Sequence, residues 1–246
     1  MLLTGSALFI NSCTLVGLDA QKSYDYKRTT LDPNVGISAK QFIERQANGT
    51  TTNPADTAFR WMLKGLQYSG IDLAEYEKLG KTFILLHNDA IRVRNNTTNA
   101  VTGGLFFTYG IVQLNPDGSP KINPSTGAFV TVPATKWEDY KKETVRKYFL
   151  YLIGQGVYNF DNLALDNTII QSELPAGSVP PADEKTLFKY NGFDKDGKFT
   201  LKFQNVDAQP LVFNDANNAR SSGHIATNGT LHVFNSVVHP FRPVAP

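Results

Sequence analysis

The segment HIATNGTLHVFNSVVHPF, residues 224–241, constrains the fold more than any other stretch. Asn228-Gly229 tolerates the positive φ angles of a two-residue turn, and alternating residues flank it, so the segment predicts a β-hairpin. Such a turn sets the register: Thr227 faces Thr230, Ala226 faces Leu231, Ile225 faces His232, and His224 faces Val233. Directly paired residues share a sheet face, and faces alternate along a strand. His232 then lies with Ile225, Thr227, Thr230 and Phe234, while His224 lies with Ala226, Leu231 and Val233 on the other face. Three of the chain's four histidines fall in this stretch. Ligands on opposite faces of one ribbon cannot close on one ion at about 2.1 Å. His239, beyond the strand, can join only one of them. The expectation is no metal site, with His232 a partly buried imidazole hydrogen-bonded to backbone.

The rest of the chain supports a folded domain around that ribbon. It has 246 residues, 41% apolar and 19% charged, enough for one large domain with a sizeable core. Tyr and Phe number 10 and 16, and Gly and Pro 19 and 13, which favours strands and turns over a helical bundle. The net charge is +2, and clusters such as Lys141-Lys142 are offset by Glu138 and Glu143. Nucleic acid is therefore not an expected partner.

Cys13 is the sole cysteine, so no disulfide can form within the chain. It follows an apolar run, Ala7 to Ile10, and the small Ser12. This resembles a bacterial lipoprotein signal, with residues 1–13 as the signal segment and Cys13 as the lipidated residue. The run is too short to span a bilayer. No Lys or Arg precedes Lys22, so the basic flank of such signals is missing here. Residues 14–37 read as a tether or lead-in, which as a coil reaches roughly 25–30 Å.

Helical signals come next. Ser38 and Gln41 form a capping box before AKQFIERQ. Asn53-Pro54 opens a second helix with Ala58, Phe59, Met62, Leu63 and Leu66 on one stripe and Gly70 as its stop. Asp72 with Glu75 caps a short third. Thr82 to Leu86 reads as a buried strand, and Asn88 and Asp89 as caps for the helix that follows. Residues 95–134 look like inserted hairpins, with LFFTYGIVQL and GAFVTV strand-like and NPDGSP and NPSTG as turns. Thr135 with Glu138 predicts a capping box for a long helix carrying Trp137, Tyr140, Val145, Tyr148, Phe149 and Leu152, ended by Gly154 and Gly156. Beyond it, VYNF, TIIQ, TLFKY, FTLKFQ and LVF are candidate strands. The pattern predicts a single α+β domain.

Several segments together resemble the fasciclin domain family. The closing stretch is similar to that family's last motif at Ile225, Thr227, Asn228, Gly229, His232 and Pro240, with Asn235 where Asp is usual and Val238 where Leu is usual. KTFILLHNDAI resembles the first motif at Thr82, Phe83, Asn88, Asp89 and Ala90, but Leu86-His87 stand where Pro-Thr is usual. YFLYLIGQGVYNFDNL resembles the middle Tyr-His segment, with Tyr151 in place and Leu152 where the His would be. The likeness spans about 38–243. It implies a single domain over 38–246: a fasciclin-like β-wedge or sandwich flanked by helices, with an inserted β-hairpin region at about 95–134. It also implies non-catalytic adhesion through protein or glycan contacts, with no cofactor. Receptor binding through the Tyr-His segment is not carried over, because that His is missing.

Other constellations point less far. Asp194 and Asp196 hint at a calcium loop but lack its later ligands, so a turn is expected. Asp183-Glu184 read as solvated carboxylates, and His87 as structural, with no partner assignable for general-base work. Asn48, Asn96 and Asn228 begin glycosylation triplets, which are chance matches in a bacterial lipoprotein. LFFTY (105–109) and YNGF (190–193) are either core or a carbohydrate-stacking platform. The expectation is a protein lipid-anchored at Cys13 in the bacterial cell envelope, at the outer membrane or cell surface. It would bind protein or glycan. The alternative is an accessory glycan-binding lipoprotein of a polysaccharide uptake system.

Overall fold

The computed structural model describes residues 32–49, 57–178, 196–204 and 210–238. The chain divides into two compact units, Met1–Asp32 and Pro33–Pro246, and the fold below is that of the second. Cys13, Asn53, Pro54, Asp183, Glu184, Asp194, the segments 186–193, His239 and Pro240 lie outside the described residues.

The unit is mixed α+β. Helix α1 (Ala39–Asn48) starts at the Ser38–Gln41 capping box, formed as the sequence predicts. Helix α2 (Arg60–Ser69) stops at Gly70 in the left-handed conformation. The segment after Asp72 is a 3₁₀ turn, Leu73–Glu77, with the Asp72 carboxylate accepting from Ala74 N. Strand β1 (Lys81–Leu86) leads into a short α3 (Asn88–Ile91), whose cap is His87 rather than Asn88 or Asp89. β2 (Val93–Arg94) leads into the insertion, which holds β3 (Val101–Gly103), α4 (Leu105–Thr108), β4 (Ile111–Val112) and β5 (Thr131–Val132). Then come α5 (Lys142–Tyr151), β6 (Ile153–Gln155), β7 (Thr168–Gln171), β8 (Lys198–Phe203), β9 (Leu211–Phe213), β10 (Asn217–Asn218), β11 (Ser221–Ala226) and β12 (Gly229–Phe234).

Two four-stranded open sheets carry the unit, in the orders β11-β12-β1-β6 and β10-β9-β8-β7. They join where Gly154 bridges Ser172 and Glu173 N donates to Ile153 O. Phe213 on β9 packs against Phe199 on β8 and Phe234 on β12, which builds an aromatic core between them. β1 and β12 are central strands, buried along nearly their whole length; β1 is apolar from Phe83 to Leu86, while β12 buries Thr230 and His232 among its apolar residues. They pair in parallel, with Thr82 opposite Thr230 and Ile84 opposite His232. Helices α1, α2 and α5 pack side by side.

Four expectations change. LFFTYGIVQL is not one strand: Leu105 and Phe106 are consecutive and both fully buried, and a half-buried strand alternates faces where a helical turn can carry neighbours inward. Phe106 fits edge-on to Trp137 and roots the insertion in the core, so within LFFTY Leu105 and Phe106 are core while Phe107 and Thr108 are exposed. The long helix predicted from Thr135 is broken. Asp139, not Glu138, gathers the N–H groups of Thr135 and Lys136, and Tyr140 is extended before α5 begins. Its apolar set is nonetheless buried. Gly154 does not end a helix but lies within β6. VYNF is irregular, and Tyr158 N donates to Thr82 Oγ1.

The lead-in also differs at its end. Val35 N donates to Ile225 O, Ile225 N to Pro33 O, and Thr227 N to Ile37 O. Residues 33–37 thus cover the outer edge of β11, satisfying groups that an open edge leaves exposed.

Candidate functional site

The hairpin forms, but its turn is not the predicted one. Ala226 pairs with Gly229, Ile225 with Thr230, and His224 with Leu231, so Thr227 and Asn228 are the central residues. Neither Asn228 nor Gly229 has a positive φ. Each partner has moved by two residues, which preserves the faces. His224 still shares its face with Leu231, as predicted.

The reason lies in the neighbouring chain. Asn228 is buried, and its Oδ1 accepts from Ala39 N at the start of α1 (2.9 Å). Its Nδ2 donates to Tyr76 O (2.8 Å) and Lys78 O (3.1 Å). Gly229 lies against β1, where a Cβ would sit 2.0 Å from Lys81 O. Asparagine is thus a clamp between three segments, and glycine is required by close approach.

His232 is fully buried on β12. Its Nδ1 accepts from Gly223 N (3.1 Å), and its Nε2 lies 2.9 Å from Tyr158 O, so the neutral ring protonated at Nε2 satisfies both. Gly223, at φ +74°, sits in the irregularity between Ser221 and His224 that brings this N–H to the ring. Burial pushes the imidazole down to about 4, against the opposing pull of the Tyr158 carbonyl. The folded state therefore excludes a proton that the unfolded ring takes up below its ordinary 6.5. Stability is complete above that value and falls as pH drops from 6.5 towards 4, by roughly 3 kcal/mol. Urea unfolding at pH 7 and pH 4.5 should show this loss, and His232→Gln should lack most of it. Equal pH slopes in the two proteins would remove His232 as the cause.

His224 takes another role. Its ring is half-buried near Phe42 of α1, and Nε2 contacts Ser221 Oγ at 2.5 Å. Burial lowers its pKa. Among the described residues no carboxylate hydrogen-bonds to His224 or His232, and no group of three metal-ligating side chains gathers.

Of the remaining motif residues, Thr82, Asn88 and Tyr151 hold backbone and the others pack or lie at the surface. Thr82 Oγ1 donates to Gly156 O and accepts from Tyr158 N. Phe83 stacks on Tyr76 with centroids 5.3 Å apart. Asn88 reaches back to α2, accepting from Trp61 N and donating to Thr57 O. Asp89 is half-exposed near His87 and Arg220, and Ala90 is buried. Tyr151 O–H donates to Lys198 O and accepts from Asn214 Nδ2, tying α5 to the second sheet. Leu152 is buried, and its carbonyl accepts from Ile84 N. Sequence reasoning missed Asn214, a buried residue at φ 48° whose Oδ1 accepts from Thr200 N. The FNDA turn that carries it was its only signal.

Outside this framework, the insertion is the most exposed region among the described residues. Gln113 N donates to Val130 O, Lys121 N to Gln113 O, and Val130 N to Lys121 O. One hairpin therefore branches into two smaller ones, turning at the predicted NPDGSP and NPSTG. Phe107, Leu114 and Ile122 are more than half exposed there. No helix among the described residues is long and apolar enough to cross a membrane. No known protein family matches the chain. No curated protein matches it either.

Proposed function

We propose that this chain is a fasciclin-like domain acting as a surface-tethered, non-catalytic binding protein, held in the cell envelope by a lipid on Cys13. The observation that carries the reading is the use made of the motif residues. Thr82, Asn88, Asn228 and His232 each satisfy backbone groups of distant segments. That is the work of a scaffold, and it leaves partner contact to the surface. The two outer motifs lie side by side as central parallel strands, which fits a β-wedge built around them. The exposed Phe107, Leu114 and Ile122 of the insertion suit contact with a protein or glycan.

Cys13→Ala tests the anchor. The variant is expected to keep its unfolding midpoint and to move from the membrane fraction to the soluble fraction. Retention in the membrane fraction overturns lipid anchoring. Pull-down with the chain from residue 22 onward tests binding. A second reading, an accessory glycan-binding lipoprotein of a polysaccharide uptake system, is favoured by the half-buried Trp61 flanked by cations.

A further inference from the structure

Trp61, on α2, carries two cations against its ring. The guanidinium carbon of Arg92 lies 4.0 Å from the ring centroid, and Lys64 Nζ lies 4.8 Å from it. Cation–π contact fixes such side chains without neutralising them. Arg94 stands two residues after Arg92, in β2. Its Nη1 donates to Asn99 Oδ1, while its Nε is buried with no acceptor.

None of Lys64, Arg92 and Arg94 has a carboxylate within ion-pair distance among the described residues. Burial, with the Arg94 charge second, holds the Arg92 guanidinium below its ordinary pKa. Arg92 and Arg94 are both partly buried, and Lys64 is exposed. Like charges gathered without a counter-charge are an unfavourable arrangement that a bound anion relieves. Two guanidinium groups are fork-shaped donors suited to planar carboxylate or to sulfate.

We infer that Trp61, Lys64, Arg92 and Arg94 form a binding site for an acidic glycan, one bearing uronate or sulfate groups. This rests on the binding-protein reading and narrows it to a ligand class. A polymer with spaced charges fits two cations held on one aromatic ring with a third two residues along the chain. Nucleic acid favours a broad basic stripe, and this chain carries a net charge of only +2.

Affinity electrophoresis of the full chain tests the site, in gels holding polygalacturonate, dextran sulfate, neutral dextran or oligothymidylate. The acidic glycans are expected to retard the protein. Arg92→Gln with Arg94→Gln is expected to weaken that binding at least about tenfold with an unchanged unfolding midpoint. Should that double variant unfold, Lys64→Gln on the exposed side of α2 is expected to weaken it by a smaller factor. Equal retardation by neutral dextran overturns the acidic specificity and leaves glycan binding standing. Stronger retention by oligothymidylate overturns the ligand class. Retardation unchanged in the variants overturns the location. No retardation by either acidic glycan overturns the inference, and the pull-down alone then decides whether the chain binds a protein.

Discussion

Gly229→Ala is expected to abolish the native fold at 37 °C, with a loss of at least about 5 kcal/mol, the size of effect reserved for major packing or backbone conflicts. The added Cβ would lie 2.0 Å from Lys81 O, which belongs to the backbone of the adjacent central strand. Unlike a side chain, that carbonyl cannot turn aside. Strands β1 and β12 would have to separate by more than an ångström, and both are packed on two faces. Circular dichroism and urea unfolding measure the result. Gly118→Ala serves as the comparison, because its φ is +81° but nothing lies within 4 Å. That change should lower stability by only about 1 kcal/mol, the strain of the left-handed conformation. Equal midpoints for the two variants would mean that the contact with Lys81 does not constrain residue 229.

Asn228→Ala is expected to lose about 4 kcal/mol. The substitution leaves Ala39 N–H, Tyr76 C=O and Lys78 C=O without their partner, and each buried unsatisfied group costs about 1–3 kcal/mol. Asn228→Asp should be nearly as damaging. It keeps the acceptor for Ala39 but turns a negative oxygen towards two carbonyls. Thr227→Ala, at the exposed neighbouring turn position, should change stability by less than about 1 kcal/mol. A mild Asn228→Asp variant would show that the donor half of the clamp is dispensable.

These two residues also show what could be read from the sequence. The Asn-Gly pair correctly announced a hairpin, and the alternation around it placed His224 and Leu231 on one face. Local propensity could not reveal the parallel neighbour at Lys81, nor the carbonyls of Tyr76 and Lys78, and these determine the turn. The Ser38–Gln41 box and the Gly70 stop were legible because they are local. The helix expected from Thr135 is broken because Asp139 competes for the same N–H groups, and the pattern of buried side chains survives the break. The structural duty of Asn88 towards α2 was hidden because its partners lie about 30 residues away in sequence. The basic cluster beside Trp61 is not legible in the sequence for a related reason. Arg92 and Arg94 show up in sequence as two charges among many, and only folding strips them of acidic company.

The centre of the first sheet unites a strand from the first half of the chain with the last strand described. A ribosome releases β1 long before β12 exists. Until then, β1 offers an uncovered row of amides and carbonyls beside exposed Phe83, Ile84 and Leu85. A nascent chain stalled before Gly229 should therefore need a holding chaperone to keep β1 from pairing with other chains.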